Sequence, residues 1–118
     1  MTHRLHQKKD QLSDPVRALV MRCAEVVHRD YPGARIILYG SQARGVATPE
    51  SDVDLLILLE SDVSAGERVG IHDRLYEVGL ERDAVISAMI TSIPRWERPL
   101  SKATPLYQAI QNAGILVA

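Results

Sequence analysis

The run VDLLILL at positions 53–59 constrains the fold of this chain more than any other feature. Only its second residue, Asp54, is polar. Such a nearly continuous apolar run is typical of a β-strand that is covered on both faces. Two further β-rich runs flank it along the chain, ARIILY at 34–39 and DAVISAMIT at 83–91. The pattern predicts a small sheet that contains residues 53–59.

Apolar residues recur at helical spacing between and beyond these runs. The first helix is expected to begin at Ser13-Asp14-Pro15, where a capping hydroxyl precedes an early proline. On the apolar face of this helix, Cys23 is predicted to be a core residue rather than a nucleophile. Gly114 is expected to close the last helix as a C-cap. The expected helices cover residues 14–30, 64–80 and 104–112, with shorter turns at 41–45 and within 92–99.

Size and composition favour one small cytoplasmic domain. With 118 residues, a single domain is expected at 14–118, preceded by a polar segment at 1–13. The formal net charge of −1 gives no electrostatic argument for general nucleic-acid binding. No apolar run is long enough for a membrane span, and the polar N-terminus is unlike a secretory signal. A single cysteine excludes an internal disulfide and suits the cytoplasm.

Two acidic residues at the start of the central apolar run predict a metal site. Asp52 and Asp54 are two positions apart, so on a strand they project from the same face. Two such carboxylates repel each other unless a cation lies between them, and hard oxygen ligands favour Mg²⁺. Asp-x-Asp alone is also compatible with an edge strand that shows two acids to solvent. A run this apolar has little structural reason to carry them.

A polar turn upstream predicts a phosphate site that faces the metal. Gly40 and Ser41 directly follow the run at 34–39, and glycine allows a ligand to approach the backbone closely. Backbone amides at the start of a helix favour phosphate. Arg44 follows Ser41 by about one helical turn, so its guanidinium is a candidate for a phosphate oxygen. The alternative for Arg44 is a surface ion pair with Glu50 or Asp52.

These residues resemble a known family. The sequence LYGSQARG, followed by SDVDLLILL, is similar to the nucleotidyltransferase superfamily that shares the polymerase β-like palm. Its minimal members, the MNT-type domains of prokaryotic HEPN/MNT toxin–antitoxin pairs, are the most similar, and PLYQAIQNAGILV looks like their C-terminal segment. The resemblance implies an α+β (α/β sandwich-like) fold with a small mixed β-sheet flanked by helices, the nucleotidyltransferase palm-like fold.

The resemblance also assigns roles to site residues. It implies that Gly40, Ser41 and Arg44 bind the triphosphate of ATP or another nucleoside triphosphate. Asp52 and Asp54 would be the catalytic carboxylates that coordinate Mg²⁺. A third carboxylate usually comes from the next central strand, but here Ser87 occupies the matching position. The nearest acidic residue, Asp83, lies four residues before Ser87, which is about 13 Å along an extended strand. The substitution puts catalysis in doubt more than binding.

Three functions follow as hypotheses. The first is Mg²⁺-dependent transfer of AMP from ATP to a hydroxyl of a small helical HEPN-type partner protein, which makes the chain an antitoxin. The second is a catalytically weak or inactive antitoxin that acts as a binding module by contact, motivated by Ser87. The third is nucleotidyl transfer to a small molecule, with an acceptor pocket built by a dimer. Homo- or hetero-oligomers are compatible with each hypothesis.

Overall fold

The computed structural model describes residues 3–4, 12–48 and 51–118 of the chain. Its strands are β1 (His3–Arg4), β2 (Arg35–Tyr39), β3 (Val53–Leu59), β4 (Ile86–Ser92) and β5 (Ile115–Leu116). Its helices are α1 (Asp14–Asp30), α2 (Gly40–Arg44), α3 (Ala65–Glu81), α4 (Ile93–Trp96), α5 (Pro99–Lys102) and α6 (Pro105–Ala113). No helix among these residues is long and apolar enough to cross a membrane.

The strands form one mixed sheet in the order β1-β5-β2-β3-β4. β3 is antiparallel to β2 and parallel to β4. The register sets Asp54 beside Tyr39 of β2 on one side and beside Ser87 of β4 on the other. Because directly paired residues project from the same face of a sheet, these three side chains share one face.

Both faces of β3 are covered, as the apolar run predicts. Leu55, Ile57 and Leu59 belong to the larger core cluster, which also contains the buried residues of α1 and α3. Leu56 and Leu58 project from the opposite face into a smaller cluster. That cluster contains Trp96 of α4 and Ile110 of α6, so the C-terminal helices cover Leu56 and Leu58 on this second face. The predicted α+β fold, a small mixed sheet flanked by helices, is confirmed.

Side-chain caps fix the starts of the three longest helices. The Ser13 hydroxyl accepts a hydrogen bond from the Val16 amide at 3.3 Å. Thr104 caps α6 in the same way. At α3, Ser64 and Glu67 form a reciprocal capping box, in which each side chain accepts from the other residue's backbone amide. These helices therefore begin where serine or threonine stands in the sequence.

Three details differ from the expectations or refine them. β4 begins at Ile86 rather than at 83, because Asp83 adopts a left-handed conformation (φ 52°) within a turn. Gly114 caps α6 but has φ −67°. Its lack of a side chain matters for a different reason, since a Cβ there would lie 2.5 Å from the Ile110 carbonyl oxygen. Cys23 is fully buried, as predicted, and burial raises the pKa of its thiol to about 12.

Candidate active site

The turn from β2 into α2 lies directly against the start of β3. Gly40 follows the last residue of β2 and has φ 74°, a left-handed conformation that favours glycine. The Asp54 carboxylate fills the space that a side chain at Gly40 would occupy. The glycine therefore satisfies two requirements, the backbone turn and the close approach of a carboxylate.

The two predicted carboxylates lie together at this end of the sheet. Asp52 is exposed and directly precedes β3, whereas Asp54 is half-buried on the strand. The pKa of Asp54 is raised, first because burial disfavours its charged form and then because of the negative charge on Asp52. The pKa of the Tyr39 hydroxyl is also raised, by burial and by the charge on Asp54. A cation bound beside Asp54 would lower both pKa values, because it favours the ionised form of each group.

Ser87 occupies the position of a third carboxylate. It is paired in register with Asp54 across the parallel β3–β4 ladder, and its side chain is exposed. Its hydroxyl is neutral and cannot replace a carboxylate as a charged ligand. Within the part of the chain that the structure describes, no group of three or more Asp, Glu, His or Cys side chains could hold a metal.

The remaining donor set is still suitable for Mg²⁺. Mg²⁺ in nucleotide sites is commonly held by one or two carboxylates, with water and substrate phosphates as its other ligands. The exposed Asp52 and the half-buried Asp54 provide two such carboxylates. These two side chains would hold the ion.

α2 presents the other predicted ligands. Its N-cap, Tyr39, makes no side-chain capping hydrogen bond, so the amides at the start of the helix are not used by that side chain. Ser41 is half-buried in the first turn, and Arg44 is exposed in the last turn. Arg44 and Asp52 form no ion pair in the structure. The role of Arg44 in nucleotide binding stays a prediction.

A cavity of about 620 Å³ opens beside Asp52. Gln42 of α2 lines it, together with apolar residues of α1 and the turn that precedes β4. Asp83 lies in that turn and also lines the cavity, although it is not in register with Asp54. Sequence reasoning missed Gln42 and this cavity, because they depend on how α1 and the turn pack. The only sequence signal was the position of Gln42 directly after Ser41.

Comparisons with known proteins agree with this geometry. Residues 20–112 match the family model described as the nucleotidyltransferase domain. A search of curated proteins finds no match. Among solved structures, the chain is similar to one described as a crystal structure of a toxin–antitoxin with AMP-PNP. The TM-score is 0.55 at 19% sequence identity, over 83% of this chain and 72% of that one, which shows a shared fold.

The family match spans most of the chain, including the turn at Gly40, both carboxylates and the strand that carries Ser87. The sheet register pairs Asp54 with Ser87, and the Gly40 turn lies against the Asp54 carboxylate. The chain therefore belongs to the nucleotidyltransferase domain family.

Proposed function

We propose that this protein is a Mg²⁺-dependent nucleotidyltransferase that transfers AMP from ATP to a hydroxyl group of a partner protein. The observation that carries the proposal is the contact between the Gly40 turn and the Asp54 carboxylate, with Asp52 two residues away. A phosphate-binding turn against paired carboxylates is the arrangement that nucleotidyl transfer requires.

Each residue contributes a distinct part of the reaction. The backbone at Gly40 and Ser41 binds phosphate oxygens of the nucleotide, and the Arg44 guanidinium stabilises their negative charge. Asp52 and Asp54 hold the Mg²⁺, which supplies positive charge to the phosphates when it is bound. The acceptor hydroxyl oxygen bonds to the α-phosphorus, and the bond from that phosphorus to the pyrophosphate oxygen breaks.

The hydroxyl proton is the difficult part of this mechanism. A carboxylate at position 87 would be a base for that proton, but the Ser87 hydroxyl is a very poor one. The proton therefore leaves to solvent, and we expect slow turnover. Slow transfer is sufficient for a stoichiometric modification of one partner, which needs a single event for each molecule.

The partner class follows from the family resemblance and from the structural neighbour. That neighbour is a toxin–antitoxin solved with AMP-PNP, and it shares the fold of this chain. A small helical HEPN-type toxin is the partner we propose. Modification of one of its hydroxyl groups, such as a tyrosine, would make this chain a cytoplasmic antitoxin.

A labelling experiment tests this proposal. The protein, the product of the neighbouring gene and ATP labelled on its α-phosphate are incubated with and without Mg²⁺. Label should appear on the partner only with Mg²⁺, and Asp54→Asn should reduce the rate by at least about 100-fold. Asp73→Asn is the matched control, because Asp73 is an exposed carboxylate on α3. No label on the partner with the wild-type protein would contradict transfer to this partner.

Ser87 favours a second candidate, an antitoxin that neutralises its partner by contact. Its hydroxyl lies in register with Asp54, where a catalytic carboxylate is expected. The double variant Asp52→Asn, Asp54→Asn separates the two candidates. If it binds and neutralises the partner as well as the wild type does, contact is sufficient. If neutralisation is lost while binding persists, the transfer reaction is required.

A further inference from the structure

β4 is an edge strand whose outer side is available for pairing. The Val53 amide donates to the Val85 carbonyl at 2.9 Å, so the odd-numbered residues of β4 direct their backbone groups toward β3. The even-numbered residues Ile86, Ala88 and Ile90 direct theirs away from the sheet. Among the described residues, no other element makes a backbone hydrogen bond to these three.

The sequence of β4 lacks the usual protection of an edge strand. Natural edge strands are commonly short or carry charges, prolines or bulges that prevent pairing with another chain. β4 is ISAMITS, seven residues without a charge or a proline. The opposite edge of the sheet is β1, which has only two residues. Among the described residues the two edges therefore differ, and β4 is the one that offers a long, neutral surface.

An apolar flank of α3 continues this surface. Val69, Tyr76 and Leu80 are 58, 67 and 65% exposed, and their spacing places them on one flank of the helix. α1 packs on the other flank, where Arg74 of α3 pairs with Asp30. Tyr76 and Leu80 line a groove of about 310 Å³ with Val85, directly before β4. The groove and the strand edge form one continuous surface.

We propose that a second copy of this chain occupies this surface through antiparallel pairing of β4 with β4. With the two-fold axis at Ala88, the backbone of Ile86 in each copy pairs with that of Ile90 in the other. The outward-directed backbone groups of Ile86, Ala88 and Ile90 are then hydrogen-bonded in one register. The same symmetry brings the apolar flank of α3 in one copy beside that of the other. The two sheets become one continuous sheet.

Charges at the two ends of β4 favour a second copy over an unrelated strand. Residues 81–83 (Glu-Arg-Asp) precede the strand with a net charge of −1, whereas residues 95–98 (Arg-Trp-Glu-Arg) follow it with a net charge of +1. Antiparallel pairing brings the acidic end of each copy toward the basic end of the other. Asp62 already pairs with Arg95 at 3.0 Å, and no described residue forms an ion pair with Arg98. The neutral strand between these ends adds no like-charge repulsion.

Sedimentation equilibrium over a range of concentrations tests the proposal on the protein alone. We expect a concentration-dependent rise from 13.1 kDa to twice that mass. Ala88→Pro removes an outward amide without breaking the β3–β4 ladder, and Leu80→Glu places a charge on the flank. Each should raise the dissociation constant of the dimer at least about 10-fold. Met21→Glu is the matched control, because Met21 is an exposed apolar residue of α1.

Disulfide cross-linking tests the register. Pairing centred on Ala88 places Ser87 of one copy opposite Met89 of the other, with Cα atoms about 4.5 Å apart. A mixture of Ser87→Cys and Met89→Cys chains should cross-link under mild oxidation, whereas neither variant should cross-link by itself. A monomer at every concentration overturns the proposal. A dimer that Leu80→Glu leaves intact, and that forms no mixed cross-link, also overturns it. These outcomes are independent of nucleotidyl transfer.

Discussion

At the scale of single residues, the site depends on the left-handed conformation of Gly40 and on the absence of a third carboxylate at Ser87. Gly40 has a left-handed φ, and the Asp54 carboxylate fills the space beside it. The motif residues therefore constrain each other, because the turn determines where the carboxylate can lie. The spacing in the sequence could predict that the two motifs meet. It could not predict that they meet by direct contact, which depends on the pairing of β2 with β3.

Gly40→Ala should damage both stability and nucleotide binding. The left-handed conformation costs an alanine about 1–2 kcal/mol, and its methyl group would displace the Asp54 carboxylate. We expect the free energy of unfolding to fall by about 2 kcal/mol or more, as measured by urea denaturation. ATP binding should weaken in parallel. Gly70→Ala is the control, since a Cβ there meets no atom within 4 Å and helix propensity favours alanine by about 1 kcal/mol. An equal loss in both variants would contradict this account.

Ser87→Asp should restore the third charge of the site. The exposed position of Ser87 beside Asp54 can accept a carboxylate without burying it. We expect the Mg²⁺ affinity, measured by calorimetry, to rise about 10-fold, which corresponds to about 1.4 kcal/mol. Transfer to the partner should accelerate as well. Ser87→Asn, which changes size without adding a charge, should do neither. If both variants behave alike, charge at this position is irrelevant.

At the scale of secondary-structure elements, the accuracy of prediction depended on whether a signal was local. β3 was predicted with its observed bounds, because its apolar run is unambiguous. β4 was predicted three residues too early, since strand propensity does not report the left-handed turn at Asp83. β5 (Ile115–Leu116) was not predicted as a strand. It lies inside the sheet between β1 and β2, and such pairing is set by tertiary contacts rather than by two residues.

The capping box of α3 yields a prediction for one element. The Ser64 hydroxyl accepts from the Glu67 amide at 3.1 Å, and the Glu67 carboxylate accepts from the Ser64 amide at 3.4 Å. α3 packs against both α1 and β4. Ser64→Ala should lower the free energy of unfolding by about 1 kcal/mol. Ser64→Asp should restore most of it, because aspartate also caps helices well. Thermal unfolding monitored by circular dichroism measures both changes. Equal stability of wild type and Ser64→Ala would show that packing alone fixes the start of α3.

At the scale of the whole molecule, the residues of the candidate active site lie at one end of the sheet, whereas the proposed dimer forms along one edge, β4. Asp54 lies on β3, and Ser87 lies on β4, the outermost strand. Pairing of two copies through β4 would therefore bring their sites onto one continuous sheet. The motif could be predicted from the sequence because its residues are close along the chain. The cavity beside Asp52 could not, because its walls come from α1 and from the turn after α3.

The acidic site gives the whole molecule a pH-dependent stability. The pKa of Asp54 is raised above its ordinary value of 3.8 in the folded state. Well below pH 3.8 the Asp54 carboxyl is protonated in both the folded and the unfolded protein. As pH rises through the folded pKa, the folded state must ionise a half-buried carboxylate beside Asp52, so stability is lost. Asp62 and Glu67 have the opposite effect, because folding lowers their pKa values. Their contributions to the stability of the folded state are therefore lost as pH falls.

Comparing Asp54→Asn with wild type isolates the contribution of Asp54. Without metal, the variant should be more stable at pH 7, by about 0.5 kcal/mol or roughly 2 °C in Tm, and this advantage should vanish near pH 4. Mg²⁺ should reverse the order at pH 7. At about 100 times its Kd it stabilises the wild type by about 2.7 kcal/mol, and it should leave Asp54→Asn nearly unchanged. A Mg²⁺ response that is equal in both proteins would place the cation elsewhere. If the variant is less stable without metal, the carboxylate makes a structural contact that outweighs its repulsion from Asp52.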